Sequence, residues 1–216
     1  MFRKGISLVK SFFRKREPAT KQSMFSKTDL RFTDVLKNSY AKPEQQKDFG
    51  KDQGYVFDDE LSSGNQQVYY NPNNKKLMLS VAGTHNLNDV GTDVKLLFGG
   101  IRDTKRYKEA SNVLDSAKNK YGVDNALLIG DSLGGSIVSK LGSNKDKIYS
   151  YNKGQTFGDT TGSNENAYRS GGDLVSFLGS GSGIKTIGSG SVLNNGLRDY
   201  IGAHNISNIK DEPIFI

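Results

Sequence analysis

The chain has 216 residues, 34% of them hydrophobic and 25% charged, with two histidines and no cysteine. That length supports one domain with its own core, and the lack of cysteine excludes disulfides, a thiol nucleophile and a cysteine zinc site. The net charge of +7 is an N-terminal property. Arg3, Lys4, Lys10, Arg14, Lys15 and Arg16 supply six of the seven, and the rest of the chain sums to +1.

Residues 1–16, MFRKGISLVKSFFRKR, carry no acid. Their apolar stretches are short, Lys10 interrupts them and no small-residue cleavage site follows, so a secretory signal is not expected. Nor can they span a bilayer, which takes about 20 apolar residues. On a helical wheel Phe2, Ile6, Val9, Phe12 and Phe13 fall on one side, with Arg3, Lys4, Lys10 and Arg14 on the other. This pattern suits a helix lying in the headgroup layer of an anionic membrane. A disordered basic arm, or a helix docked on its own domain, remains open beside it. Nucleic acid is not an expected partner, because no aromatic-basic platform recurs elsewhere. The expected location is cytoplasmic or at a membrane surface. Residues 17–27 turn polar around Pro18 and read as a linker, leaving 28–216 as a single domain.

A helix is predicted over 28–40, with Leu30, Val35 and Leu36 apolar, followed by a polar stretch after Pro43. Residues 68–70 and 76–81 read as strands joined by the Asn-Pro-Asn-Asn turn at 71–74. A loop at 83–86 and a short helix near 89–97 come next. Over 104–121, Tyr107, Ala110, Leu114, Ala117 and Tyr121 recur at helical offsets. A strand at 126–129, a helix at 133–141 and strands near 147–151 and 166–169 follow. Residues 179–196, rich in glycine and serine, read as a mobile loop. Strands alternating with helices predict an α/β fold with a mostly parallel sheet covered on both faces.

Residues 127–135, Leu-Leu-Ile-Gly-Asp-Ser-Leu-Gly-Gly, place a Gly-x-Ser-x-Gly turn between that strand and helix. Such a turn holds a serine hydroxyl out of the chain at the end of a strand, which makes Ser132 a candidate nucleophile. A hydroxyl needs a base to accept its proton, and the base needs a carboxylate to fix its tautomer. In this turn type both partners follow the serine, acid before histidine. Downstream of Ser132 only His204 remains, so it is the candidate base. Asp146, Asp159, Glu165, Asp173 and Asp199 lie between them. Asp173 is favoured because it follows the strand at 166–169, and the carboxyl ends of strands are where sites gather in open α/β sheets; Asp159 ranks second. His85 precedes the turn and reads as a loop residue. Two donors for an oxyanion are expected at the Leu133 N–H, which opens the helix, and at Thr84, after the strand ending in Val81-Ala82-Gly83.

Together, Val81-Ala82-Gly83-Thr84, Asp89 and Asp93, the Gly130-Asp131-Ser132-Leu133-Gly134-Gly135 turn, Asp173 and His204 resemble the class 3 (fungal-type) lipases of the α/β-hydrolase superfamily, over about residues 66–210. The resemblance implies an α/β-hydrolase fold and a Ser132, Asp173, His204 triad with Thr84 and Leu133 as the oxyanion hole. It places residues from His85 to about Gly100 where the family has its lid. It implies a serine ester hydrolase for lipid esters, either a lipase or a phospholipase, working through an acyl-enzyme without a cofactor or metal. The basic N-terminal helix adds an anionic membrane surface as a partner. A silent lipase-fold protein, structural or membrane-tethering within a larger particle, is the other class. The sequence departs from the family where Asp131 stands in place of its usual His or Tyr, and where Val81-Ala82 replaces Phe-Arg. Short, cysteine-free chains of this style also resemble lipase-like proteins carried by some viruses, a resemblance that adds a virion to the expected locations.

Overall fold

The structure is a computed structural model that describes residues 30–84, 100–154, 161–171, 183–187 and 216. Helix α1 (Phe32–Asn38) opens the described chain, and α2 (Pro43–Asp48) follows with its proline in the first turn, where a missing N–H costs nothing. The described part of α1 is shorter than the predicted 28–40 helix. Leu30 and Arg31 precede the helix, with Arg31 extended at its N-cap; Ser39 ends it as the C-cap, Tyr40 lies beyond it, and 28 and 29 lie outside the described residues.

Strand β1 (Val56–Phe57) is a two-residue edge that the sequence did not announce. Strands β2 (Gln66–Asn71) and β3 (Lys76–Val81) form the expected hairpin, in full antiparallel register from Gln66 opposite Val81 to Asn71 opposite Lys76. Side chains close its turn: the Asn71 Oδ1 accepts the Asn73 N–H (3.0 Å) and the Asn74 Oδ1 accepts the Lys76 N–H (3.1 Å), the local bonding that makes asparagine a turn residue.

Helix α3 (Lys105–Tyr121) matches the predicted 104–121 element. Thr104 caps it by accepting the Tyr107 N–H at 3.2 Å, and Gly122 ends it in the left-handed conformation (φ 63°) that a β-carbon disfavours. Strand β4 (Leu127–Asp131) runs straight into α4 (Ser132–Leu141). Strands β5 (Lys147–Tyr151) and β6 (Glu165–Ser170) complete the expected set. One expectation is corrected: within the predicted 179–196 loop, Ile184–Ile187 forms β7, paired in parallel with β6 from Ala167 opposite Ile184 to Ser170 opposite Ile187. Four consecutive non-glycine residues, two of them isoleucine and one threonine, carry enough β propensity to pair even inside a glycine-rich stretch.

Among the described residues, seven strands lie in sequence order, antiparallel over β1–β3 and parallel over β3–β7. Alternation along each strand divides the core. Leu77, Leu79, Val81, Leu128 and Ile148 pack with Ala110, Leu114 and Ala117 of α3 and Ile137 and Val138 of α4. Tyr69, Met78, Ile129, Tyr149 and Tyr151 pack on the other face with Phe32, Val35 and Leu36 of α1. The sheet is therefore covered on both sides, as expected. Burying each large apolar side chain contributes about 1.5–3 kcal/mol, enough to fix the carboxyl ends of β3 and β4 side by side.

Candidate active site

Parallel pairing of Val81 with Gly130 brings the ends of β3 and β4 together. The chain then turns abruptly from β4 into α4 at Ser132, which sits at φ 50°, in the left-handed region. For a residue with a β-carbon this conformation costs about 1–2 kcal/mol. Strain of this kind persists only where the surroundings enforce it.

Here they do. A β-carbon at Gly130 would lie 2.5 Å from the carbonyl carbon of Gly134, and one at Gly134 would strike the carbonyl oxygens of Val81 and Ala82. The two motif glycines thus let the first turn of α4 press against β3 and β4. Ser136 Oγ, within hydrogen-bond distance of the carbonyls of Ser132 (3.2 Å) and Gly154 (3.1 Å), ties that turn to the chain leaving β5. Ser132 and Leu133 occupy the first turn, whose amides have no acceptor within the helix. The helix dipole adds a partial positive charge at the same place.

Gly83 approaches from β3. A β-carbon there would stand 2.9 Å from the Ser132 Cβ and 3.0 Å from the Asp131 carbonyl oxygen. Thr84 follows directly and is half-buried. The structure therefore places the Gly83-Thr84 segment beside Ser132, the neighbourhood that an oxyanion loop requires.

Asp131, noted from the sequence only as an unusual charge, is 3% exposed and holds a network together. The Tyr40 hydroxyl lies 2.9 and 2.8 Å from its two carboxylate oxygens. The Gly83 N–H donates to the Tyr40 oxygen (2.7 Å) and to Asp131 Oδ1 (3.1 Å). On the far side, the Arg106 guanidinium donates to the carbonyls of Ala82 (2.6 Å) and Gly83 (3.3 Å). Burial first, and then the Asp131 charge, hold the Tyr40 hydroxyl well above the usual phenol range, so it keeps its proton. Nothing in the local sequence marks Tyr40 or Arg106; Tyr40 is 91 residues from Asp131.

Two of the five candidate acids are engaged elsewhere. Asp146 precedes β5 at the opposite edge of the sheet, where it accepts from Lys118 (2.7 Å), the Ala126 N–H (2.8 Å) and Ser143 (2.7 Å). Glu165 opens β6, where Oε1 lies 2.7 Å from Lys153 Nζ and accepts from Ser150 Oγ at 2.6 Å. Its Oε2 accepts from Ser139 Oγ at 2.9 Å. Asp159, Asp173, Asp199 and His204 lie outside the described residues, as do His85 and the rest of 85–99. Strand β6 ends at Ser170, on the same edge of the sheet as Ser132 and two strands away, about 10 Å at ordinary strand spacing. Among the described residues no group of three His, Cys, Asp or Glu side chains is placed to hold a metal ion.

No protein-family model matches the chain, and no curated protein matches it. Among solved structures it is similar to Lip2 lipase from Yarrowia lipolytica, at 15% identity and a TM-score of 0.54, over 85% of this chain and 93% of that one. It is also similar to a triacylglycerol lipase whose catalytic centre is formed by a serine protease triad, at 13% identity and a TM-score of 0.51, over 74% and 78% of the two chains. At such identities a likeness establishes architecture and leaves the chemistry to be argued from the site. The chain shares the α/β-hydrolase fold of these two solved structures.

Proposed function

We propose that the protein is a serine ester hydrolase acting on lipid esters, as a lipase or phospholipase. The observation that carries this reading is the enforced left-handed conformation of Ser132 at the β4–α4 turn, with the Gly83 backbone against its Cβ. Ser132 Oγ attacks the ester carbonyl while His204 takes its proton, and Asp173 orients the imidazole and stabilises its charged form. The N–H groups of Leu133 and Thr84 bind the oxygen that becomes negative. His204 then returns the proton to the departing alcohol, leaving an acyl-enzyme that water, activated by the same histidine, hydrolyses. Residues 1–16 bring the enzyme to an anionic lipid surface.

The Asp131 carboxylate favours one rival. A buried negative charge one residue from the nucleophile opposes the forming oxyanion, as suits a silent lipase-fold protein that tethers or builds a larger particle. Hydrolysis of triacylglycerol, phosphatidylcholine and short-chain nitrophenyl esters, each compared with Ser132→Ala, decides between them. Turnover of at least one long-chain ester that disappears in Ser132→Ala is expected. Turnover of short soluble esters alone would remove the lipid substrate, and no turnover would favour the rival.

A further inference from the structure

We propose that Asp131 is a positioning residue for the reaction at Ser132: with Tyr40 it clamps the Gly83-Thr84 segment against the nucleophile, so that the oxyanion donor is set before substrate arrives. This rests on the ester-hydrolase reading above and assigns a use to the charge that sets this chain apart from its resemblance.

The segment is held at both polar groups of Gly83. Its N–H points into the Tyr40 oxygen at 2.7 Å and Asp131 Oδ1 at 3.1 Å, and its carbonyl accepts from Arg106 at 3.3 Å. A peptide is planar and trans, so its N–H points opposite to its C=O. By fixing the Gly83 carbonyl, Arg106 therefore fixes the direction of the Thr84 N–H, the proposed donor. Asp131 and Tyr40 fix the preceding peptide, and the α-carbon between the two faces Ser132. Neither peptide can rotate without breaking a bond to one of these three side chains.

An ionised acceptor makes shorter and stronger hydrogen bonds than a neutral one. The Tyr40 hydroxyl retains its proton at any workable pH, because burial and then Asp131 raise its pKa, so the clamp does not open by titration of the phenol. Arg106 is half-buried next to the network and offsets the charge that would otherwise act against the oxyanion. Donors held in place in this way need no reorganisation during the reaction.

The test uses the full chain and p-nitrophenyl butyrate, a soluble ester that needs no membrane. Asp131→Ala is expected to lower kcat about 100-fold with KM within about threefold, the pattern of a misplaced donor. Asp131→Asn keeps one oxygen for Tyr40 and Gly83 and should recover to within about tenfold of wild type. Tyr40→Phe should lose about tenfold in kcat. Tyr107→Phe, which removes an exposed bond to the Lys140 carbonyl (3.3 Å), should leave both constants unchanged. Should Asp131→Ala fail to fold, Asp131→Asn and Tyr40→Phe carry the test. Full kcat in the folded Asp131 and Tyr40 variants, or a loss confined to KM, would overturn the positioning role while leaving the hydrolase reading intact. A wild type that neither hydrolyses the ester nor reacts at Ser132 with a fluorophosphonate would overturn both.

Discussion

Ser132 is one of three described non-glycine residues with a positive φ, beside Lys75 and Asn152, and it is the one at the β4–α4 turn. Because φ is 50° there, glycine fits the position without steric cost and alanine does not. Ser132→Gly should therefore be more stable than Ser132→Ala by about 1 kcal/mol in urea unfolding, with both variants inactive. Equal stabilities would mean that the turn relaxes once the hydroxyl is gone. Thr84→Val keeps the backbone N–H and removes the hydroxyl; if that hydroxyl helps bind the oxyanion, kcat drops with KM nearly unchanged. A rise in KM alone would make Thr84 a substrate-binding residue. The Ser132 turn is legible in the sequence because Gly130, Ser132 and Gly134 fall within five consecutive residues flanked by apolar runs of different period. The Tyr40, Asp131, Arg106 network is not legible, since its members come from the end of α1, the end of β4 and the start of α3. Only the tertiary fold brings them together.

Among the elements, those with strong local chemistry are the ones their residues announce. Helix α3 has a cap, an apolar stripe and a terminal glycine, and the β2–β3 hairpin has an asparagine-rich turn. Thr104→Ala removes the acceptor for the Tyr107 N–H and should lower stability by about 1 kcal/mol, read from the urea midpoint. A change below a few tenths of that would show that the start of α3 is held by packing instead. Strands β1 and β7 are too short to show a period. They exist because β2 and β6 offer them an edge, with Arg169 Nε donating to Thr186 Oγ1 across the last pair (3.1 Å). Likewise Asp146 and Glu165 read as candidate acids from chain order alone, and the sheet assigns them to ion pairs with Lys118 and Lys153.

For the molecule as a whole, the buried carboxylates of Asp146 and Asp58 contribute to the response to acid. Burial pushes Asp146 up, but hydrogen bonds from Lys118 and Ser143 outweigh it and hold the carboxyl below its ordinary range. Asp58 behaves alike, burial being outweighed by Lys120, Tyr121 and the Leu61 N–H. A carboxyl with a lower pKa folded than unfolded stabilises the fold above its unfolded pKa, and the gain is lost as pH falls through the folded value. The thermal midpoint should thus be level from pH 7 to about 5 and fall below about pH 4. Asp146→Asn should cost about 1–3 kcal/mol at pH 7 and make the acid fall shallower. An unchanged acid limb would put the titrating groups elsewhere. At the N-terminus, the proposed contact of six cations with an anionic surface, at about 1 kcal/mol each, is a claim separate from the chemistry at Ser132. Deleting residues 1–16 should abolish binding to phosphatidylserine vesicles and leave hydrolysis of a soluble ester intact; unchanged vesicle binding would remove the membrane role.

The most direct measurement is the intact mass of the full chain after exposure to a fluorophosphonate, with the adduct mapped by peptide sequencing. The reagent phosphonylates a serine only where a base activates it and donors stabilise the forming charge. A single adduct on Ser132, lost in both Ser132→Ala and His204→Ala, is the expected result. A wild type that stays unmodified while folded, or an adduct that persists in His204→Ala, would contradict an activated Ser132 served by His204.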